Sequence, residues 1–143
     1  MKPILLIGGL LCFGGVEAGW GQSPGEVATR FAAAWEARDD GGIQGLLSPA
    51  GVRLRLDGDG HGGVAPRRVL RALESYWRDR TGGEVTVTSV SLMETEESRA
   101  YGELEWLGVN EVTGEAFEAT IFLGLSEGEE GWRVDEIRTI TPD

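Results

Sequence analysis

The stretch "EAFEATIFLGLSEGEEGWRVDEIRTI", Glu115 to Ile140, decides the fold. In its first half Phe117, Ala119, Ile121, Leu123 and Leu125 recur at every second position. Side chains of an extended chain alternate between two faces, so this spacing predicts a strand with one buried face. In "GWRVDEIRTI" Trp132 and Val134 stand in phase and predict a second strand. The linker "SEGEEG" is short and polar, which makes the two strands antiparallel neighbours.

The same grammar extends upstream. "SRAYGELEWLG" (Ser98 to Gly108) sets Leu104 and Trp106 on one face and Glu103 and Glu105 on the other. "EVTVTSVSL" (Glu84 to Leu92) is rich in β-branched residues, and its apolar parity changes between Val87 and Val90. One extra residue near Ser89 would produce that change, so a bulge is predicted there. The turns "ETEES" and "VNEVTG" are again short and polar, completing a four-strand antiparallel meander.

Before the meander the period changes. From Pro66 to Arg80, Val69, Leu70, Leu73, Tyr76 and Trp77 share one helical face. Arg67, Arg71, Glu74 and Arg78 share the other, with Glu74 and Arg78 in a favourable i,i+4 pair. "GVRLRLDG" alternates as a half-buried strand, with Val52, Leu54 and Leu56 inward. A short helix is predicted from Ile43 to Leu47. The stretch "SPGEVATRFAAAWEARDD" predicts a longer helix: Ser23 caps it, Pro24 suits its first turn, and Glu26 completes a capping box. Helices gathered on one face of a curved antiparallel sheet give an α+β class: a cone-shaped roll with a four-strand C-terminal meander.

The N-terminus follows another logic. "MKPILLIGGLLCFGGVEA" has one cation at Lys2, an apolar run from Ile4 to Val16, and a small-residue end. That is the layout of a secretory signal peptide over residues 1–18, with the roll domain spanning 19–143. The run is too short and glycine-rich to span a bilayer, so no stable membrane anchor is expected after cleavage. The expected location is therefore outside the cytoplasm, periplasmic or extracellular. Leu11 before Cys12 does not fit a lipoprotein cleavage site. Cys12 is the only cysteine, so cleavage leaves neither a disulfide nor a thiol site.

Charge narrows the partners. Among 143 residues the formal net charge is −11, with 26% charged and 41% hydrophobic residues, proportions ordinary for a soluble domain. Such an acidic surface repels phosphate backbones, which argues against nucleic acid as a partner. Lys2 is the sole lysine, so every later cation is an arginine.

The order of these elements resembles the nuclear transport factor 2-like superfamily, the cystatin-like α+β roll. The resemblance spans about Val27 to Ile140. It is carried by "VLRALESYWRDR" before the meander, by the closing "GWRVDEIRTI", and by Tyr101-Gly102-Glu103-Leu104. It is similar in particular to exported bacterial domains of unknown function in that group. The resemblance implies a cavity inside the cone and pairing through the sheet face, hence a homodimer. It implies no single activity, since the superfamily includes isomerases, dehydratases, hydrolases, carriers and interaction domains.

Chemistry-bearing residues are few. "RLDGDGHGGVAPRR" (Arg55 to Arg68) opens like a calcium loop, with Asp57, Asp59 and Gly62 in place. However, Arg68 stands where the twelfth-position glutamate belongs, and a strand precedes it. The stretch is read as a glycine-rich corner between strand and helix, with His61, the only histidine, in that loop. Glu94, Glu96 and Glu97 occupy one turn and Glu127, Glu129 and Glu130 another at the same end of the meander. They are read as solvated turns, and neither metal nor cofactor is expected.

The aromatic set Phe31, Trp35, Tyr76, Trp77, Trp106 and Trp132 faces one interior. Core packing accounts for it. An open cone would make Phe31, Trp35, Tyr76 and Trp106 the lining of a pocket for a small apolar ligand, with Arg38 at its mouth. The favoured function is non-catalytic, with no catalytic residue assigned. The domain would bind a small apolar ligand in the cone, or an envelope protein on the sheet face. The alternative is an isomerase or dehydratase using Tyr76 or a buried carboxylate, for which Asp39 and Asp40 are the acids to watch.

Overall fold

The computed structural model describes residues 22–93 and 98–142. The predicted signal peptide and the acidic residues Glu94, Glu96 and Glu97 lie outside that range. In chain order the elements are α1 (Pro24–Ala37), α2 (Asp40–Gln44), β1 (Val52–Leu56), β2 (Asp59–Val64), α3 (Pro66–Trp77), β3 (Arg80–Thr81), β4 (Val85–Leu92), β5 (Arg99–Asn110), β6 (Ala116–Gly128) and β7 (Gly131–Ile140). The strands form one curled sheet in the order β2-β1-β7-β6-β5-β3, with β4 also paired to β5.

The capping box starts α1 as the sequence requires. The Ser23 hydroxyl accepts from the Glu26 amide at 3.1 Å, and the Glu26 carboxylate accepts from the Ser23 amide at 2.8 Å. Both donors belong to a helix start that has no helical acceptor for them, and such a cap is worth about 1 kcal/mol. Val27, Phe31 and Trp35 face inward from α1, and Val69, Leu70, Leu73 and Trp77 from α3. They meet Leu104, Trp106, Ile121, Leu123 and Val134 from the concave side of the sheet in one apolar core.

The meander forms as read, through β4, β5, β6 and β7, each antiparallel to the next. The predicted bulge is present, because the β4–β5 register slips between Val87 and Ser89. A second slip, between Gly124 and Leu125, leaves Asp135 as the extra residue on β7. It moves the buried parity from Trp132 and Val134 to Ile137 and Thr139. The freed Asp135 carboxylate pairs with Arg99 at 2.8 Å and, as the largest influence, raises that guanidinium's pKa.

Four expectations need correction. The glycine-rich stretch is not a simple strand-to-helix corner but a β-hairpin. Asp57-Gly58 forms its two-residue loop, with both residues at positive φ (49° and 98°), and β2 returns antiparallel on β1 with Leu56 opposite Asp59. A right-twisted hairpin favours that mirror-image turn, and Asp-Gly is among the few pairs that adopt it cheaply. His61 therefore lies in β2, opposite Leu54, and not in a loop.

The short helix is Asp40–Gln44, and not Ile43 to Leu47, because Asp39 caps it by accepting from the Gly42 amide at 3.0 Å. The second long helix stops at Trp77 and not at Arg80, since Arg80 and Thr81 pair as strand with Asn110 and Val109. The sheet is also mixed and not wholly antiparallel. β1 runs parallel to β7, with Leu54 beside Ile137, because the chain crosses the concave side and builds the meander before β7 returns.

Candidate functional site

The two long helices finish at the same end of the roll, and their last turns bring five aromatic rings together. Trp35 stands edge-on to Trp77 and Trp106, with ring centres 5.4 and 5.3 Å away. Phe31 lies 5.8 Å from Trp35, and Tyr76 lies 6.1 Å from Trp106. Edge-to-face contact sets the positive rim of one ring against the negative face of another, the arrangement aromatic groups prefer. Four of the five residues named as pocket lining are thus in one cluster. The structure also shows its state: Phe31, Trp35 and Trp106 have 0% exposure. A side chain beside a space large enough for water would keep accessible area, so among the described residues no such space borders these three rings.

Arg38 closes the cluster. It caps α1 in the left-handed region (φ 54°), a conformation that is unfavourable for a residue with a Cβ. In that position its guanidinium donates to the Trp35 carbonyl at 2.8 Å and to the Arg80 carbonyl at 3.0 Å. It also lies 5.1 Å from the Trp77 ring centre and 5.6 Å from that of Trp106. Burial lowers its pKa from the ordinary guanidinium value, yet an arginine stays cationic at neutral pH. Arg38 therefore lies across the ring cluster, held there by the two carbonyls.

A polar layer covers the remaining edge. The Tyr76 hydroxyl donates to Asp57 Oδ2 at 3.1 Å. The Arg80 guanidinium reaches the same oxygen at 3.3 Å and stacks 4.1 Å from the Tyr76 ring centre. Thr141 donates to Asp57 Oδ1 at 3.0 Å. Asp57 therefore ties the β1–β2 turn to the end of α3 and the end of β7. Burial pushes the Tyr76 phenol up, and the Asp57 charge adds to the rise. Tyr76 stays protonated at neutral pH and is a donor, not a base.

The acids to watch stand elsewhere. Asp39 is exposed and spends its carboxylate on the α2 cap. Asp40 is half-buried and shares a hydrogen bond with Glu74, which raises the Glu74 pKa. Two indole donors lack an acceptor among the described residues: Trp35 Nε1 and Trp77 Nε1. Ring faces in edge-on contact are a weak substitute for one. No group of three acidic, histidine or cysteine side chains among the described residues is placed to hold a metal ion.

Sequence reading missed Asp57 and Arg80 as partners of Tyr76. The reading of the stretch as a strand-to-helix corner gives Asp57 no such partner, whereas the Asp-Gly turn signal places it at a hairpin tip.

The convex face of the sheet is divided by charge. Glu103 and Glu105 on β5 and Glu118 on β6 occupy one half. A hydrogen bond that protonated Glu105 donates to Glu118, followed by the Glu118 charge, raises the Glu105 pKa. Arg53 and Arg55 on β1 and Arg138 on β7 occupy the other half. Exposed apolar groups lie on the acidic half, with Tyr101 45%, Leu107 41% and Val109 41% exposed.

This cone of helices on a curled sheet has solved counterparts. It is the nuclear transport factor 2-like, cystatin-like fold. A DUF4783 family protein from Bacteroides ovatus superposes with a TM-score of 0.65 at 10% identity, over 80% of this chain and 94% of that one. A ketosteroid isomerase-like protein from Erwinia carotovora atroseptica gives 0.67 at 15% identity, covering 82% and 92%. A protein of unknown function with a cystatin-like fold from Nostoc punctiforme gives 0.62 at 13%, covering 82% and 86%. At these identities the likeness shows the fold alone. No protein-family model matches the chain, and no curated protein does.

Proposed function

We propose that this domain is a non-catalytic, exported binding module that meets an envelope protein on the convex face of its sheet. The observation that carries this reading is the filled cone: Phe31, Trp35 and Trp106 are wholly buried against one another. Proton-transfer catalysis needs a base within hydrogen-bond reach of a substrate. Tyr76 is held as a donor to Asp57, and Asp39 and Asp40 serve α2 and Glu74. Export rests on the signal layout of residues 1–18.

The test is native mass spectrometry of the protein taken from its own source, with a photo-crosslinking residue at Tyr101. The expected result is a crosslinked partner polypeptide and a free domain carrying no small molecule. An apolar ligand on the domain, with no crosslink from position 101, would sink this reading.

A second reading has one observation in its favour. The orphaned indole donors of Trp35 and Trp77 would gain an acceptor from a small ligand entering the cluster. It requires the rings to part, and the same mass spectrum reports the bound ligand.

A further inference from the structure

The basic half of the convex face borders a hollow of about 470 Å³, lined by Arg53, Arg55, Gly60, Gly62, Glu136 and Arg138 among others. Its arginines cluster in a chain of net charge −11. Arg55 and Arg138 stand directly opposite each other on β1 and β7, where like charges repel. Among the described side chains, which leave out those of Asp59 and His61, none of Arg53, Arg55 and Arg138 makes an ion pair; the pairs formed belong to Arg80, Arg99 and Arg133. Glu136 faces Arg53 across the ladder, but its carboxylate packs over Gly124 instead.

Two features give the hollow a direction. Among the described residues β2 ends the sheet, so on one side no described strand lies beside it. Gly60, opposite Arg55, leaves open the place a side chain would fill, and the Arg55 guanidinium occupies it. Arg55 Nε and one terminal nitrogen lie 3.5 and 3.6 Å from where a Cβ of Gly60 would be. Arg55 thus reaches across β2 toward the free edge, and repulsion from Arg138 favours that direction. Gly62 likewise leaves open space. A neighbouring hollow beyond it, of about 310 Å³, carries Arg68.

We propose that this edge binds an acidic extended segment of the partner protein, laid beside β2 as an added strand. It rests on the reading above and names the partner's chemistry. Strand addition supplies backbone hydrogen bonds, and side chains at alternate positions supply specificity. Arg53 and Arg55 are two residues apart on one strand, about 7 Å. Acidic residues spaced i, i+2 on an added strand repeat at the same distance. Guanidinium groups suit them, because each can grip a carboxylate with two parallel N–H donors. The acidic half of the same face repels such a segment and confines it to the β2 side.

The test uses a labelled peptide of alternating Thr and Glu, with the Thr-Gln peptide as control, titrated with the exported chain and read by fluorescence anisotropy. The Glu peptide should bind more tightly than the Gln peptide by about tenfold or more, a difference that shrinks with added salt. Arg55→Gln should weaken it by about tenfold. Gly60→Glu should block it in a folded protein, since a carboxylate there meets Arg55 within the chain.

Equal affinity for the two peptides, or no binding at millimolar peptide, overturns the proposal. So does a dimer by light scattering that Arg55→Gln dissociates, which assigns the arginines to Glu103, Glu105 and Glu118 of a second copy. Loss of the edge site alone leaves a crosslink from Tyr101 in place. A ligand found in the cone defeats the earlier reading without touching the peptide result.

Discussion

Replacing Trp106 with alanine tests whether the cone is filled or open. Trp106 is wholly buried, lies 4.8 Å from the Phe117 ring centre and 5.3 Å from that of Trp35, and donates from its indole to the Gly82 carbonyl at 3.3 Å. Truncating a fully buried tryptophan costs about 3–5 kcal/mol, because transfer energy is lost and the surrounding groups collapse only partly. A domain of this size has about 5–15 kcal/mol in all, so the variant is expected to fold with a much lower urea midpoint. The cavity left behind is apolar and ring-shaped. Indole should enter it and raise the variant's Tm by mass action, while leaving the parent protein's Tm unchanged.

Trp106→Phe keeps a ring against Phe117 and should lose only about 1–3 kcal/mol, which secures the test if the alanine variant does not fold. Two results would refute the reasoning. Indole could stabilise the parent as strongly as the variant, which would mean that open space already adjoins Trp106. Alternatively the alanine variant could lose less than about 1 kcal/mol, which a packed tryptophan does not allow.

Tyr76→Phe removes the donor to Asp57 and should lower stability by about 1–2 kcal/mol in urea unfolding, leaving partner crosslinking unchanged; loss of a turnover activity would restore the enzyme reading. Glu105 has a folded pKa above its ordinary value, so the native state binds the extra proton, and stability falls as pH rises from that ordinary value through the raised one. Glu105→Gln should therefore raise Tm slightly at neutral pH, with the gain disappearing below the ordinary glutamate range; a gain constant across pH counts against the Glu118 repulsion. N-terminal sequencing of exported protein should begin near Gly19, whereas a chain that starts at Met1 and pellets with membranes refutes the cleavage reading.

Much of this molecule is written locally. Ser23, Pro24 and Glu26 determine where α1 begins, because a helix start has its own unsatisfied donors and those residues meet them. The alternation of Leu104, Trp106, Ile121 and Leu123 determines which face of the meander is buried, since a strand's period is two whatever surrounds it. The parity change in β4 likewise located its bulge before any partner strand was known. The Asp57-Gly58 hairpin was equally local and was legible in principle, because only a few residue pairs accept two successive positive φ angles.

The site is another matter. That Asp57 meets Tyr76, Arg80 and Thr141 depends on bringing residues as much as 84 positions apart together, and no period in the sequence encodes that distance. Nor could the sequence say whether Phe31, Trp35 and Trp106 line a space or fill it. The same inward spacing serves both, and the difference lies in a few ångströms of helix placement over the sheet. Tertiary packing alone set that distance and closed the rings on one another beneath Arg38.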